Sequence, residues 1–188
     1  GVNDTPSLSA VSTLTGATED TALTISYDTL AAAANEADVE GTALSFRVEA
    51  VTTGTLEKGS GSSWAAVTAG TTLLGASETL RWTPAANANG TVNAFTIKAW
   101  DGALASASAI QVQVAVAAVN DAPTITDIAD TTIAEDGATS ALAFTIGDVE
   151  TAAASLTVAA TSSNTTLIPN TNLVFGGSGA SRTLTATP

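Results

Sequence analysis

Asn3-Asp4-Thr5-Pro6 returns as Asn120-Asp121-Ala122-Pro123, and the acidic motifs downstream of each copy also return in the same order. A Glu-Asp pair comes next (Glu19-Asp20, Glu135-Asp136), then Asp-Val-Glu (Asp38 to Glu40, Asp148 to Glu150). The intervals from Asp4 to Asp121, Glu19 to Glu135 and Asp38 to Asp148 are nearly equal. Self-similarity at one period means copies of a single module, so it constrains the fold before any local reading does. We divide the chain into repeat 1 at 1–119, a linker at 120–123 and repeat 2 at 124–188. A carboxylate-bearing linker between two modules is what a metal-stiffened joint needs.

Within the repeats, apolar residues alternate with polar ones. Leu23, Ile25 and Tyr27 are interleaved with Thr and Ser, and Leu44, Phe46 and Val48 with Ser45, Arg47 and Glu49. Phe95 and Ile97 continue the pattern, as do Ile110, Val112, Val114 and Val116. Period-two alternation marks half-buried strands. Turn signals at 53–55, 59–61, 87–90 and 101–102 separate short strands, as in an antiparallel sandwich. The expected order for repeat 1 is A near 7–14, B near 21–27, C near 42–52, D and E between 55 and 83, F near 91–100 and G near 107–118. Thr29 to Asn35 is alanine-rich and too short for an independent helix, so one or two helical turns are expected inside a loop.

If strands alternate in direction, the entering linker, the B–C loop and the F–G loop share the N-terminal end of the module. That gathers Asn3, Asp4, Asp38, Glu40 and Asp101. The A–B and E–F loops, with Glu19-Asp20 and Asn87-Ala88-Asn89, fall at the opposite end beside Asn120 and Asp121. Leu80 to Pro84 aligns with Leu184 to Pro188, so repeat 2 is expected to hold strands A to E without F and G. Its exposed sheet edges imply that the segment carrying those strands is missing, or that a neighbouring chain covers the gap.

The 188 residues are 45% hydrophobic but only 4% aromatic, so small and β-branched side chains must fill the core. No apolar run reaches the roughly 18 residues a membrane span needs, and no secretion signal is visible. Without methionine, the sequence reads as an internal piece of a longer protein. With no cysteine, extracellular stability would come from packing and metal rather than disulfides. A net charge of −13 argues against nucleic acid and anionic membranes as partners. Only 12% of residues are charged, and the acids are grouped, which favours a demand for cations.

These residues together resemble the cadherin-like (immunoglobulin-like) tandem repeats of very large bacterial surface and secreted proteins, including biofilm adhesins and proteins exported by type I secretion. Asn120 to Pro123 looks like the calcium linker between cadherin modules. Asp38-Val39-Glu40 and Asp148-Val149-Glu150 look like the acidic B–C loop motif, with Glu in place of the usual second Asp. Trp100-Asp101-Gly102 resembles the F–G loop ligand, and Glu19 and Glu135 the single Glu of the A–B region. No Asp-x-Glu precedes the E–F turn.

The resemblance implies an all-β fold of tandem antiparallel Greek-key β-sandwich modules, extracellular or on the bacterial cell surface. It implies Ca2+ as the bound ion, adjacent repeats of the same polypeptide as partners, and host or matrix ligands reached through other domains. The implied metal ligands are Glu19, Asn120, Asp121, Asp148 and Glu150 at the complete joint. Asn3, Asp4, Asp38, Glu40 and Asp101 form the downstream half of another. Calcium accepts six to eight such oxygens, and close carboxylates repel without it, so binding would be coupled to closing the hinge.

Plainer readings stand beside these. Asn-Asp-Ala-Pro is also an Asx turn before proline, Asp101-Gly102 a common turn, and the Asp-Val-Glu acids are soluble loop residues. Asp20 and Asp136 read mainly as such. Trp64, Trp82 and Trp100 read as core plugs, with a glycan- or protein-binding module as the alternative function. Threonine on solvent-facing strands is ordinary usage rather than an ice-binding surface. The chain contains neither His nor Cys, which removes the usual imidazole base, thiol nucleophile and zinc ligands. Gly176 to Gly179 lacks a phosphate-loop lysine and reads as a hairpin turn. The expected function is a non-catalytic, calcium-rigidified spacer.

Overall fold

The computed structural model describes residues 2–188. The chain divides into two compact units, Gly1–Val119 and Asn120–Pro188.

Among the described residues, unit 1 contains nine strands and one short helix. In order these are β1 (Leu14–Thr18), β2 (Leu23–Ser26), α1 (Tyr27–Ala33), β3 (Ser45–Val51), β4 (Thr55–Ser60), β5 (Ser63–Ala66), β6 (Leu73–Leu74), β7 (Thr79–Thr83), β8 (Gly90–Trp100) and β9 (Ile110–Ala117). One sheet runs β1-β9-β8-β3-β6 and the other β2-β7-β4-β5. Strands adjacent in sequence repeatedly change sheet, the sandwich solution for two half-apolar sheets.

The inward residues are those the alternation marks. Phe46 and Val48 of β3, Phe95, Ile97 and Ala99 of β8, and Val112 and Val114 of β9 are all 0% exposed. Ile25, Leu80 and Trp82 join them from the other sheet. Burying a side chain such as Phe46 or Phe95 contributes about 1.5–3 kcal/mol. Ala94 is also buried because the register shifts between Asn93 and Phe95. This bulge turns the Ala94 carbonyl toward the main-chain N–H groups of Thr52 and Thr53, at 2.8 and 3.2 Å. The adjoining Gly54 has φ +71, and a Cβ there would lie 2.1 Å from the Thr83 carbonyl oxygen. Only glycine fits this turn.

Strands B, C, F and G fall where the alternation puts them. Strand A differs. Residues 7–13 make only isolated bridges, Ser7 with Ala37 and Val11 with Ala34. The true first strand, β1, pairs parallel to β9, so the module is not wholly antiparallel. The alanine-rich segment forms two turns that begin two residues earlier than Thr29, capped by Ser26, whose Oγ accepts the Thr29 N–H at 3.0 Å. Leu30 then plugs the core.

The tryptophans divide. Trp82 is fully buried and donates Nε1–H to the Thr53 carbonyl at 2.9 Å. Trp64 and Trp100 are only partly buried. Each lies under a guanidinium, Arg81 at 4.5 Å from the Trp64 ring centre and Arg47 at 5.0 Å from that of Trp100. The expectation of three core plugs therefore holds for Trp82 alone, because in β5 and at the end of β8 these rings fall on the outward side.

Unit 2 is one sheet, β10-β11-β13-β12, from β10 (Thr124–Ile125), β11 (Leu142–Gly147), β12 (Leu173–Ser178) and β13 (Ser181–Ala186). Its buried apolar residues are Phe144 and Ile146, and the Phe144 ring meets Phe175 edge-on at 6.3 Å. Repeat 2 was expected to hold strands A to E, but no strand follows Asp148-Val149-Glu150 before β12. In unit 1 the equivalent strand, β3, pairs with β8, and the described residues of unit 2 include no such pairing partner.

Candidate metal centre

At the N-terminal end of unit 1, three segments distant in sequence meet. Ser7 bridges Ala37 antiparallel, and the same register carries the Asp4 N–H to Glu40 Oε2 at 3.2 Å. Asn3 Nδ2 donates to Asp101 Oδ2 at 2.8 Å. The linker, the B–C loop and the F–G loop thus share one end, as strand alternation requires.

Asp38 and Asp101 are each held by main-chain donors. Asp38 Oδ2 accepts the Thr42 N–H at 2.9 Å. Asp101 Oδ1 accepts the N–H groups of Ala103 and Leu104, both at 2.6 Å. Gly102, with φ +103, supplies the left-handed residue of that loop. The Leu104 N–H is the chief cause holding the Asp101 carboxyl below its ordinary pKa. The Ala103 N–H and Asn3 amide assist, against the opposing effect of desolvation.

Two carboxylate oxygens here are buried without a hydrogen-bond donor, Asp38 Oδ1 and Glu36 Oε2. Desolvation by burial pushes the Glu36 pKa up. Glu36 was not among the sequence-predicted ligands. Its signal was the alternation Glu36, Asp38, Glu40, which puts the three at every second position of one loop. Among the described residues, no basic side chain is recorded in an ion pair with these acids. Arg47, Lys58 and Arg81 pair with Glu49, Glu78 and Glu57, while Lys98 and Arg182 donate to carbonyl oxygens.

At the opposite end of unit 1, Glu19 is 2% exposed. Its Oε1 accepts the Val119 N–H, and its Oε2 faces Asn89 Nδ2 at 3.4 Å. Asp20, with φ 56, accepts the Asn87 N–H at 3.1 Å. The A–B and E–F loops therefore do meet here.

Unit 2 repeats the first arrangement. The Asp121 N–H donates to Glu150 Oε2 at 2.9 Å. Asp148 Oδ1 accepts the N–H groups of Glu150 and Thr151 at 3.1 and 2.7 Å. Asn120 Nδ2 turns onto the Asp121 carbonyl at 2.8 Å. The donor atoms at these ends are oxygens of carboxylates, amides and carbonyls. Such a set fits a hard divalent cation of the calcium type and not zinc or copper. The donor-less oxygens of Asp38 and Glu36 are what a cation would satisfy.

No curated protein matches the chain at a significant level. Among solved structures it is similar to an endo-fucoidan hydrolase from glycoside hydrolase family 107, at 22% identity and a TM-score of 0.35. That alignment covers 98% of this chain, which spans only 24% of the hydrolase chain. It is also similar to the titin domains z1z2 in complex with telethonin, at 11% identity and a TM-score of 0.29, covering 100% of this chain and 83% of that one. A family model described as the bacterial Ig domain matches residues 3–114. With that match over most of a two-sheet β-sandwich, the chain belongs to the bacterial Ig domain family.

Proposed function

We propose that this chain is a non-catalytic spacer from a large bacterial surface or secreted adhesin-like protein, made rigid by calcium at its linkers. The observation that carries the reading is the repeated clasp of linker to B–C loop. In both units the linker Asp offers its N–H to a Glu two residues beyond an Asp, with that Asp's carboxylate held by main-chain donors.

Asn3, Asp4, Asp38, Glu40 and Asp101 are proposed as ligands at the N-terminal end of unit 1, with Glu36 added to them. Glu19, Asn120, Asp121, Asp148 and Glu150 are proposed as the ligands associated with the second linker. Bound calcium would replace hydrogen-bond donors that the buried carboxylate oxygens lack. It would stabilise the ligated state in proportion to its affinity and concentration. The Arg-covered faces of Trp64 and Trp100 give less support to a glycan platform, whose rings would need to be open.

The test is thermal melting and small-angle scattering with calcium and with chelator, alongside Asp121→Ala and Asp148→Ala. The reading expects calcium to raise the melting temperature and narrow the distribution of dimensions in the wild type. Both variants should stay folded and respond less. A glycan array with and without chelator separates the alternative: binding that survives chelation would favour a glycan-binding module.

A further inference from the structure

Asn89 is the only asparagine of the chain that glycine follows. It is exposed and lies outside any strand, immediately before β8 begins at Gly90. Gly90 has φ +79, and a Cβ built there would meet nothing within 4 Å. The main-chain nitrogen that follows Asn89 therefore carries no side chain and faces no wall, a steric condition that glycine alone meets.

The Asn89 carboxamide is loosely held. Its Nδ2 donates to Glu19 Oε2 at 3.4 Å and to the Asn87 carbonyl at 3.5 Å, both beyond the usual range for such bonds. Other asparagines are fastened by firm bonds to their oxygens. Asn35 Oδ1 accepts the N–H groups of Ser9 and Ala10 at 3.0 and 2.8 Å, and Asn93 Oδ1 accepts the Gln113 amide at 2.9 Å.

We propose that Asn89 is a self-modification site, whose deamidation sets a carboxylate against buried Glu19 and loosens that end of unit 1. Asparagine is among the thermolabile residues. Hydroxide removes the Gly90 N–H proton, and the nitrogen attacks Asn89 Cγ. A new Cγ–N bond forms, the Cγ–Nδ2 bond breaks, and the amide nitrogen takes a proton from water and leaves as ammonia. Water then opens the succinimide at either carbonyl, giving aspartate or isoaspartate at position 89. The net change is amide plus water to acid plus ammonia. A donor to Glu19 thereby becomes an acceptor of like charge. Glu19 is 2% exposed, so water screens the repulsion poorly. Glu19 Oε1 also holds the Val119 N–H, so the disturbance reaches the end of the unit. Isoaspartate further lengthens the main chain just before the Gly90–Val116 pair. The inference does not depend on calcium.

Ageing the full chain in chelator at mildly alkaline pH, followed by peptide mapping, provides the test. The proposal expects position 89 to convert several-fold faster than Asn87 or Asn93, to both aspartate and isoaspartate. Gly90→Ala should slow that conversion several-fold. Unaged Asn89→Asp should melt a few degrees below the wild type in chelator, and Glu19→Gln in the same chain should remove much of the deficit. Three results would overturn the proposal: conversion at 89 no faster than at Asn87 or Asn93, conversion in Gly90→Ala as fast as in the wild type, or a melting deficit for Asn89→Asp that is absent or that Glu19→Gln does not reduce.

Discussion

The main-chain N–H of Asp121 donates to Glu150 at 2.9 Å, the contact that Asp4 makes with Glu40 in the other unit. This gives the glutamate a role that an aspartate would not fill. Its longer side chain reaches back to the linker main chain, while Asp38 and Asp148 stay folded over their own loop.

Shortening that reach should loosen the linker clasp. Glu40→Ala is expected to cost about 0.5–1.5 kcal/mol in chelator, the usual worth of one hydrogen bond. Urea denaturation compared with wild type measures it, and fast amide exchange at Asp4 reports the same loss locally.

The two units should respond unequally to loss of the same core residue. Leu80→Ala removes a fully buried side chain and should destabilise unit 1 by about 2–5 kcal/mol. Leu184→Ala, at the matching repeat position, touches a side chain only partly buried and should cost less than half as much. Hydrogen exchange resolved by unit distinguishes the two.

Acidity should act in opposite directions on two carboxyls of unit 1. The Asp101 pKa is depressed, so its stabilisation is present above the unfolded value and lost as pH falls through the folded one, below about pH 4. The Glu36 pKa is raised, so its stabilisation is present at low pH and lost as pH rises above about 4.3. In chelator, Asp101→Asn should lower the melting temperature at pH 7 and flatten the acid limb of the stability profile. Glu36→Gln should raise the melting temperature at pH 7 and weaken calcium binding. Melting curves from about pH 3 to 8 give both answers.

Much of this was legible in the sequence, and the reasons are local. Alternation located β3, β8 and β9 because each has one face in the core, and Ser26 ahead of the alanine run accounts for α1. The separate ends were legible because strand direction alone decides which loops meet. Three features escaped. The parallel pairing of β1 with β9 is a tertiary choice with no local mark. Trp64 and Trp100 carry large apolar rings, but their strand positions and the guanidinium groups above them place them outside. Glu36 had only the alternation with Asp38 and Glu40 to mark it, and its buried oxygen shows in the fold alone.

The turn at Gly54 offers a purely steric check. Gly54→Ala must adopt φ +71 and push its Cβ against the Thr83 carbonyl. It should therefore cost more than the roughly 1 kcal/mol of a simple backbone penalty. Urea denaturation followed by Trp82 fluorescence reads the effect.

Calcium titration by calorimetry at pH 7 tests the central claim most directly, comparing the wild type with the Asp38→Asn and Asp148→Asn double variant. The account predicts saturable binding to the wild type, loss of at least about tenfold in affinity in the variant, and a melting temperature raised by calcium only where binding persists. Equal heats for both proteins, or a wild-type melting temperature identical in calcium and chelator, would contradict it.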